Sequence, residues 1–259
     1  MRIYSLIATA LLTLGVSASA ETLKIGTSAD FPPWESVDSA GNIVGFDREI
    51  GDEVCKRIGA ECIWANQNFD GLLPGLSIGK FDLVLAALSI NAEREKSVDF
   101  SIAYADAPSN FIISSKNQVS SEVDKATLLT FLEGKKVGVQ TGTTHEQLIS
   151  NHIPTAEIRI YERPEQILAD IKAKRIDVGF TQRSAWDGLL GENSADFKFI
   201  GPLLTGADFS DLGRGQGIVL RKGNEKLKKR VDEALETMLE DGTITRQSNA
   251  AFGYDLSAK

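Results

Sequence analysis

Arg94 stands in Asn91-Ala92-Glu93-Arg94-Glu95-Lys96, a few residues after Leu88-Ser89. A guanidinium in such a loop can hold a carboxylate through two parallel hydrogen bonds. Spacing alone reads it otherwise, as a surface arginine in a charged stretch. A second group suits the same ligand chemistry. Gly142-Thr143-Thr144 precedes a helix expected to begin near His145, and free amides at a helix start attract a carboxylate. Thr143 and Ser89 add hydroxyl donors, and Thr144 also fits a plain helix cap. Other chemistries find less support. The only histidines are His145 and His152 and the only cysteines Cys55 and Cys62, so no metal-ligand spacing exists and neither metal nor cofactor is expected. Gly213-Arg214-Gly215-Gln216-Gly217 lacks the strand-turn-helix context of a phosphate loop. Glu35 and His145 are the groups an acid-base catalyst would use; no catalytic residue is expected.

The elements that must position these groups occur twice. Residues 72–89 align without gaps to residues 167–184, at an offset of 95. Each copy has apolar residues at helical spacing (Leu72, Leu73, Leu76; Ile167, Leu168, Ile171), then a basic residue, then apolar-Asp-apolar. Asp82 and Asp177 are the matched turn residues. Another strand and polar loop precede each copy, at 23–30 and 135–144. Strands alternating with helices predict two α/β lobes with largely parallel sheets. In such sheets ligands sit beyond the carboxyl ends of the strands, which singles out loops 28–36, 66–70, 86–94, 140–145 and 181–186. Asp47 is expected to cap a helix ended by Gly59, and Asn224 to cap a long amphipathic helix.

The compartment is legible too. Arg2, an apolar run from Leu6 to Val16 and Ala18-Ser19-Ala20 read as a cleaved signal peptide over residues 1–20, which sends the chain to the periplasm. Lys and Arg number 28 against 36 Asp and Glu, a net charge of −8, and that acidity argues against nucleic acid and anionic membranes. After export, Cys55 and Cys62 are expected to form a disulfide. Closing so short a loop contributes about 2.5 kcal/mol.

Six segments in order carry a resemblance over essentially the whole mature chain: IGTSADFPPWES (25–36), GFDREIGDEVCKRIGAEC (45–62), NFDGLLPGL (68–76), LSINAERE (88–95), KKVGVQTGTTHE (135–146) and GPLLTG (201–206). They resemble the periplasmic solute-binding proteins of polar amino-acid ABC transporters, among them the histidine, lysine/arginine/ornithine and opine binders. The resemblance implies an α/β, two-lobed, type II fold with two crossover segments near 106–110 and 207–213. Lobe 1 would comprise 21–108 and 210–259, and lobe 2 109–209. It implies a monomer that closes on a small amino-acid-type ligand and delivers it to the membrane permease of an importer. It turns Arg94 from a surface residue into the carboxylate clamp, and places Phe31 and Phe69 over the ligand's side chain. The implied set is Phe31, Glu35, Phe69, Ala87, Leu88, Ser89, Arg94, Gln140, Gly142, Thr143, Thr144, His145 and Gln182. Trp34, Trp64 and Trp186 are left to packing.

Two positions depart from the pattern. Binders of basic amino acids have aspartates where this chain has Ser28 and Gln182. Enclosing an α-ammonium without a carboxylate is costly, so the expectation is an opine-like or neutral polar ligand. Gln140 and His145 would flank it and meet further acid or polyol oxygens, whereas Asp30 reads first as a solvated loop acid. The alternatives are a basic amino-acid binder and an exported dehydratase-like enzyme built on the same fold.

Overall fold

The computed structural model describes residues 21–258; the signal-peptide reading of residues 1–20 lies outside them. In chain order the first half contains β1 (Glu21–Thr27), β2 (Asp30–Phe31), β3 (Glu35–Val37), β4 (Ile43–Val44), α1 (Phe46–Arg57), β5 (Ala60–Asn66), α2 (Leu72–Ser77), β6 (Leu83–Val84) and β7 (Val98–Ala105). The second contains β8 (Ser109–Ser114), α3 (Lys125–Leu132), β9 (Lys136–Gln140), α4 (Thr144–His152), β10 (Glu157–Tyr161), α5 (Pro164–Lys172), β11 (Val178–Gln182), α6 (Arg183–Leu190) and β12 (Phe197–Leu204). The chain then returns through β13 (Gln216–Arg221), α7 (Glu225–Glu240) and α8 (Thr243–Phe252).

Two five-stranded sheets share one plan, β5-β1-β6-β13-β7 and β10-β9-β11-β8-β12. The duplicated segments supply α2 with β6 and α5 with β11, and each of these strands joins a parallel trio: β1 pairs parallel with β5 and β6, and β9 with β10 and β11. The sheets are mixed rather than largely parallel. The fourth strand of each enters from the other lobe and therefore runs antiparallel, β13 against β6 and β7, and β8 against β11 and β12.

The matched aspartates do matched work. Asp82 accepts the Lys24 amide at 3.0 Å and Asp177 the Lys136 amide at 2.8 Å, pinning the start of β6 to β1 and the start of β11 to β9. Asp47 differs from its expected role. The helix N-cap is Gly45, at φ 125°, where a Cβ would lie 2.4 Å from the Trp34 carbonyl oxygen. The Asp47 carboxylate instead turns into the core, accepting from the Ala87 amide and the Tyr104 hydroxyl, both at 2.7 Å. Those partners outcompete the helix amides because the group is fully buried. Gly59, at φ 70°, follows the last turn of α1 as expected, and Asn224 caps α7 through the Leu227 amide.

Apolar clusters cover both faces of each sheet, Ile25, Ile50, Val231 and Leu235 on one side of the first and Leu72, Leu76 and Phe81 on the other. Leu148, Val137, Ile167 and Trp186 do the same in the second lobe. Cys55 and Cys62 are bonded, tying α1 to β5. Among the described residues no helix is long and apolar enough to cross a membrane.

Candidate functional site

The carboxyl ends of β1, β6, β9 and β11 converge on the space between the lobes. A narrow cavity there is lined by residues that follow or end those strands: Ser28, Ala86, Gln140, Thr181 and Gln182, with Ser89 and Arg94 from the loop after β6.

Arg94 roofs one end. Its Nη1 donates to the Ser89 carbonyl at 3.0 Å and its Nη2 crosses the cleft to the Gly142 carbonyl at 3.2 Å, while its guanidinium lies over the Phe69 ring at 5.8 Å. Burial is the one cause acting on its pKa, which it lowers to about 10, so the group stays charged at neutral pH. Among the described residues no carboxylate pairs with it. Opposite stands the start of α4, where the Thr143 hydroxyl oxygen accepts from the Glu146 amide at 3.2 Å. The Gly142 amide is already spent on the Glu146 carboxylate at 2.8 Å. Of the amides at the start of α4, therefore, those of Thr144 and His145 are left without a capping partner among the described residues.

His145 is 5 % exposed, with Nε2 against the Ser109 hydroxyl at 2.8 Å. Desolvation, and then the Arg94 charge, push its pKa down to about 3, so its ring is neutral. The far end is acidic. Glu35, 1 % exposed, is raised well above the usual carboxylate range by desolvation and by Asp47 beside it. Asp30 also lines the cavity and is raised to about 6, chiefly by desolvation, with the Ser28 hydroxyl donating to it at 3.1 Å. The solvated-acid reading of Asp30 is thus corrected: the turn into β2 folds the side chain inward.

Eleven of the thirteen expected residues line the cavity: Phe31, Glu35, Phe69, Ala87, Ser89, Arg94, Gln140, Thr143, Thr144, His145 and Gln182. Leu88 does not; strand alternation turns it into the apolar cluster under α2. Gly142 contributes its carbonyl to Arg94 and sits exposed at the rim. Ala86 and Thr181 were missed, although their place beside Ala87 and Gln182 at strand ends was a usable signal. Trp34 and Trp186 lie outside the cavity and are fully buried, whereas Trp64 is half-buried beneath Arg48. Three polar atoms around the cavity, Glu35 Oε2, His145 Nδ1 and Gln182 Oε1, are buried without a hydrogen-bond partner.

Comparison with known proteins gives a consistent picture. The profile of the bacterial extracellular solute-binding proteins, family 3, matches residues 23–254. The L-arginine-binding protein of Pseudomonas aeruginosa is 31% identical over 254 residues, covering 96% of this chain and 95% of the relative. The histidine-binding periplasmic protein of Escherichia coli (strain K12) is 31% identical over 248 residues, covering 94% and 92% respectively. Among solved structures, an ancestral arginine-binding protein bound to arginine superposes with a TM-score of 0.80 at 32% identity, covering 90% of this chain and 98% of that one.

Proposed function

The chain belongs to the bacterial extracellular solute-binding proteins of family 3, with their two-lobed type II fold, and from that premise we propose which solute it carries and how. It is the solute-binding component of an amino-acid ABC importer, working as a periplasmic monomer once residues 1–20 are removed. Its ligand is an amino acid with a basic side chain, handed to the membrane permease as a closed complex.

The observation that carries this reading is the set of unpartnered buried atoms. Leaving a buried donor or acceptor unpaired costs about 1–3 kcal/mol each, yet of the five such side-chain atoms among the described residues three, Glu35 Oε2, His145 Nδ1 and Gln182 Oε1, belong to residues around one cavity, the others being Thr27 Oγ1 and Gln247 Oε1. Such a cost at a single place is recovered when a complementary solute enters. The ligand's carboxylate meets Arg94 and the Thr144 and His145 amides. Its nitrogen meets Gln182 Oε1, and its side chain runs between Phe31 and Phe69 towards Asp30 and Glu35. The names of the arginine- and histidine-binding relatives add weight to the basic side chain. No step of this reading calls for proton transfer by His145 or Glu35.

A second reading, an opine-like or neutral polar ligand, is favoured by one feature. Gln182 offers only a neutral carbonyl, its Nε2 being committed to the Ala87 carbonyl at 3.2 Å, and a substituted nitrogen suits that better than a free ammonium. Titration calorimetry with L-arginine, L-lysine, L-histidine, L-glutamine and octopine separates the two. Tightest binding by a basic amino acid supports the first, tightest binding by octopine the second, and binding of none removes both.

A further inference from the structure

Helix α6 touches the first lobe outside the cavity lining. Ser184 Oγ accepts the Trp34 Nε1 hydrogen at 2.9 Å in a fully buried bond. Ala185, one residue on, is wholly buried in the apolar cluster of lobe 1, among Phe31, Trp34 and Phe46. One turn later comes Gly188, where a Cβ would stand 2.3 Å from the Pro32 carbonyl oxygen and 2.7 Å from Pro33 Cδ. None of Trp34, Ser184, Ala185 and Gly188 lines the cavity.

Gly188 is out of place by local rules. It sits inside a helix, where glycine is about 1 kcal/mol worse than alanine, and it is not among the residues with positive φ. Its backbone would accept any side chain. What excludes a side chain is the backbone of the other lobe, at Pro32 and Pro33. A local penalty kept for a long-range contact marks a functional constraint.

We propose that Ser184, Ala185 and Gly188 form a clasp for the closed state, and that glycine at 188 sets how far the lobes close and hence the affinity for every ligand. The inference rests on the solute-binding reading above. A Cβ at 188 needs roughly 1 Å more room to reach an ordinary contact distance. That displacement stretches the Trp34–Ser184 bond beyond hydrogen-bonding range and draws the carboxylate clamp apart, since Arg94 and α4 belong to different lobes.

The test sets two readouts of opposite sign against each other. In Gly188→Ala the helix gains propensity, so the ligand-free protein melts at the wild-type temperature or above. Its affinity for each of L-arginine, L-lysine, L-histidine, L-glutamine and octopine that wild type binds falls by a common factor of more than about ten, because the spreading of the clamp adds to the one lost hydrogen bond. Gly188→Leu falls further, while Ser184→Ala, which keeps the close approach, falls less than Gly188→Ala. Wild-type affinity in Gly188→Ala, or a loss confined to one ligand, would overturn the clasp while leaving the solute-binding reading intact. If wild type itself binds none of the probes, the solute-binding reading falls and the clasp with it.

Discussion

Arg94 is a cation held between two carbonyls and an aromatic face, and its isolation is what makes it useful. Placing a carboxylate beside it would have stabilised the ligand-free fold; in the proposed reading the charge is left for a solute. Arg94→Ala is expected to weaken amino-acid binding on the order of 100-fold or more, because a buried carboxylate then lacks its ion partner, with no loss of melting temperature. Calorimetry together with thermal melts checks both halves, and unchanged affinity would show that the carboxylate lies elsewhere. The acidic end has a pH signature. The pKa of Asp30 is raised from 3.8 to about 6 by burial, so its contribution to stability is full below pH 4 and is lost as pH rises through about 6. Asp30→Asn should therefore melt about 2–4 °C above wild type at pH 7, as a kcal/mol shifts a protein of this size, and with wild type at pH 4. His145 runs the other way: its pKa of about 3 lies below the ordinary 6.5, so its share of stability is present above pH 6.5 and is lost as pH falls towards 3. At this scale Arg94, Thr143 and Gln182 could be read from motifs, each next to recognisable neighbours. The inward turn of Asp30 could not, because it depends on the fold of β2 against β3 and not on residue type.

Helix-strand units recur at an offset of 95 residues, and the recurrence is physical as well as visual. The Asp82 and Asp177 carboxylates fix the entry of β6 beside β1 and of β11 beside β9. Replacing either by alanine is expected to cost on the order of 1 kcal/mol, the scale of one hydrogen bond. Because the two sites lie in separate lobes, the double variant should show the sum. Urea denaturation measures it, and strong non-additivity would mean that the lobes do not keep these ties independently. The repeat was legible because apolar spacing and the aspartate lie within a window of 18 residues. The antiparallel strands β8 and β13 were not, since their direction follows from the crossing of the chain between lobes. The cap of α1 was misread for a related reason: Asp47 carries the right residue type, but Ala87, forty residues away, claims its carboxylate.

Across the whole molecule, function lies in two bodies brought face to face. Lobe 1 supplies Arg94, Phe31, Phe69 and the acids; lobe 2 supplies the start of α4, His145 and Gln182. Interlobe bonds from Gln182 to Ala87, from Arg94 to Gly142 and from Trp34 to Ser184 show how the halves meet. A ligand stabilises this arrangement only by the contacts it makes across the cleft. The two-lobed plan was readable from the order of six segments, whereas the approach of Gly188 to Pro32 has no local trace, being set by how two rigid surfaces fit. The most direct measurement is a crystal structure of the protein grown with the amino acid that it binds most tightly. The account predicts the ligand's carboxylate at about 3 Å from the Arg94 guanidinium and from the Thr144 and His145 amides together. A carboxylate turned instead towards the Asp30 end, or a ligand seated outside the interlobe cavity, would contradict it.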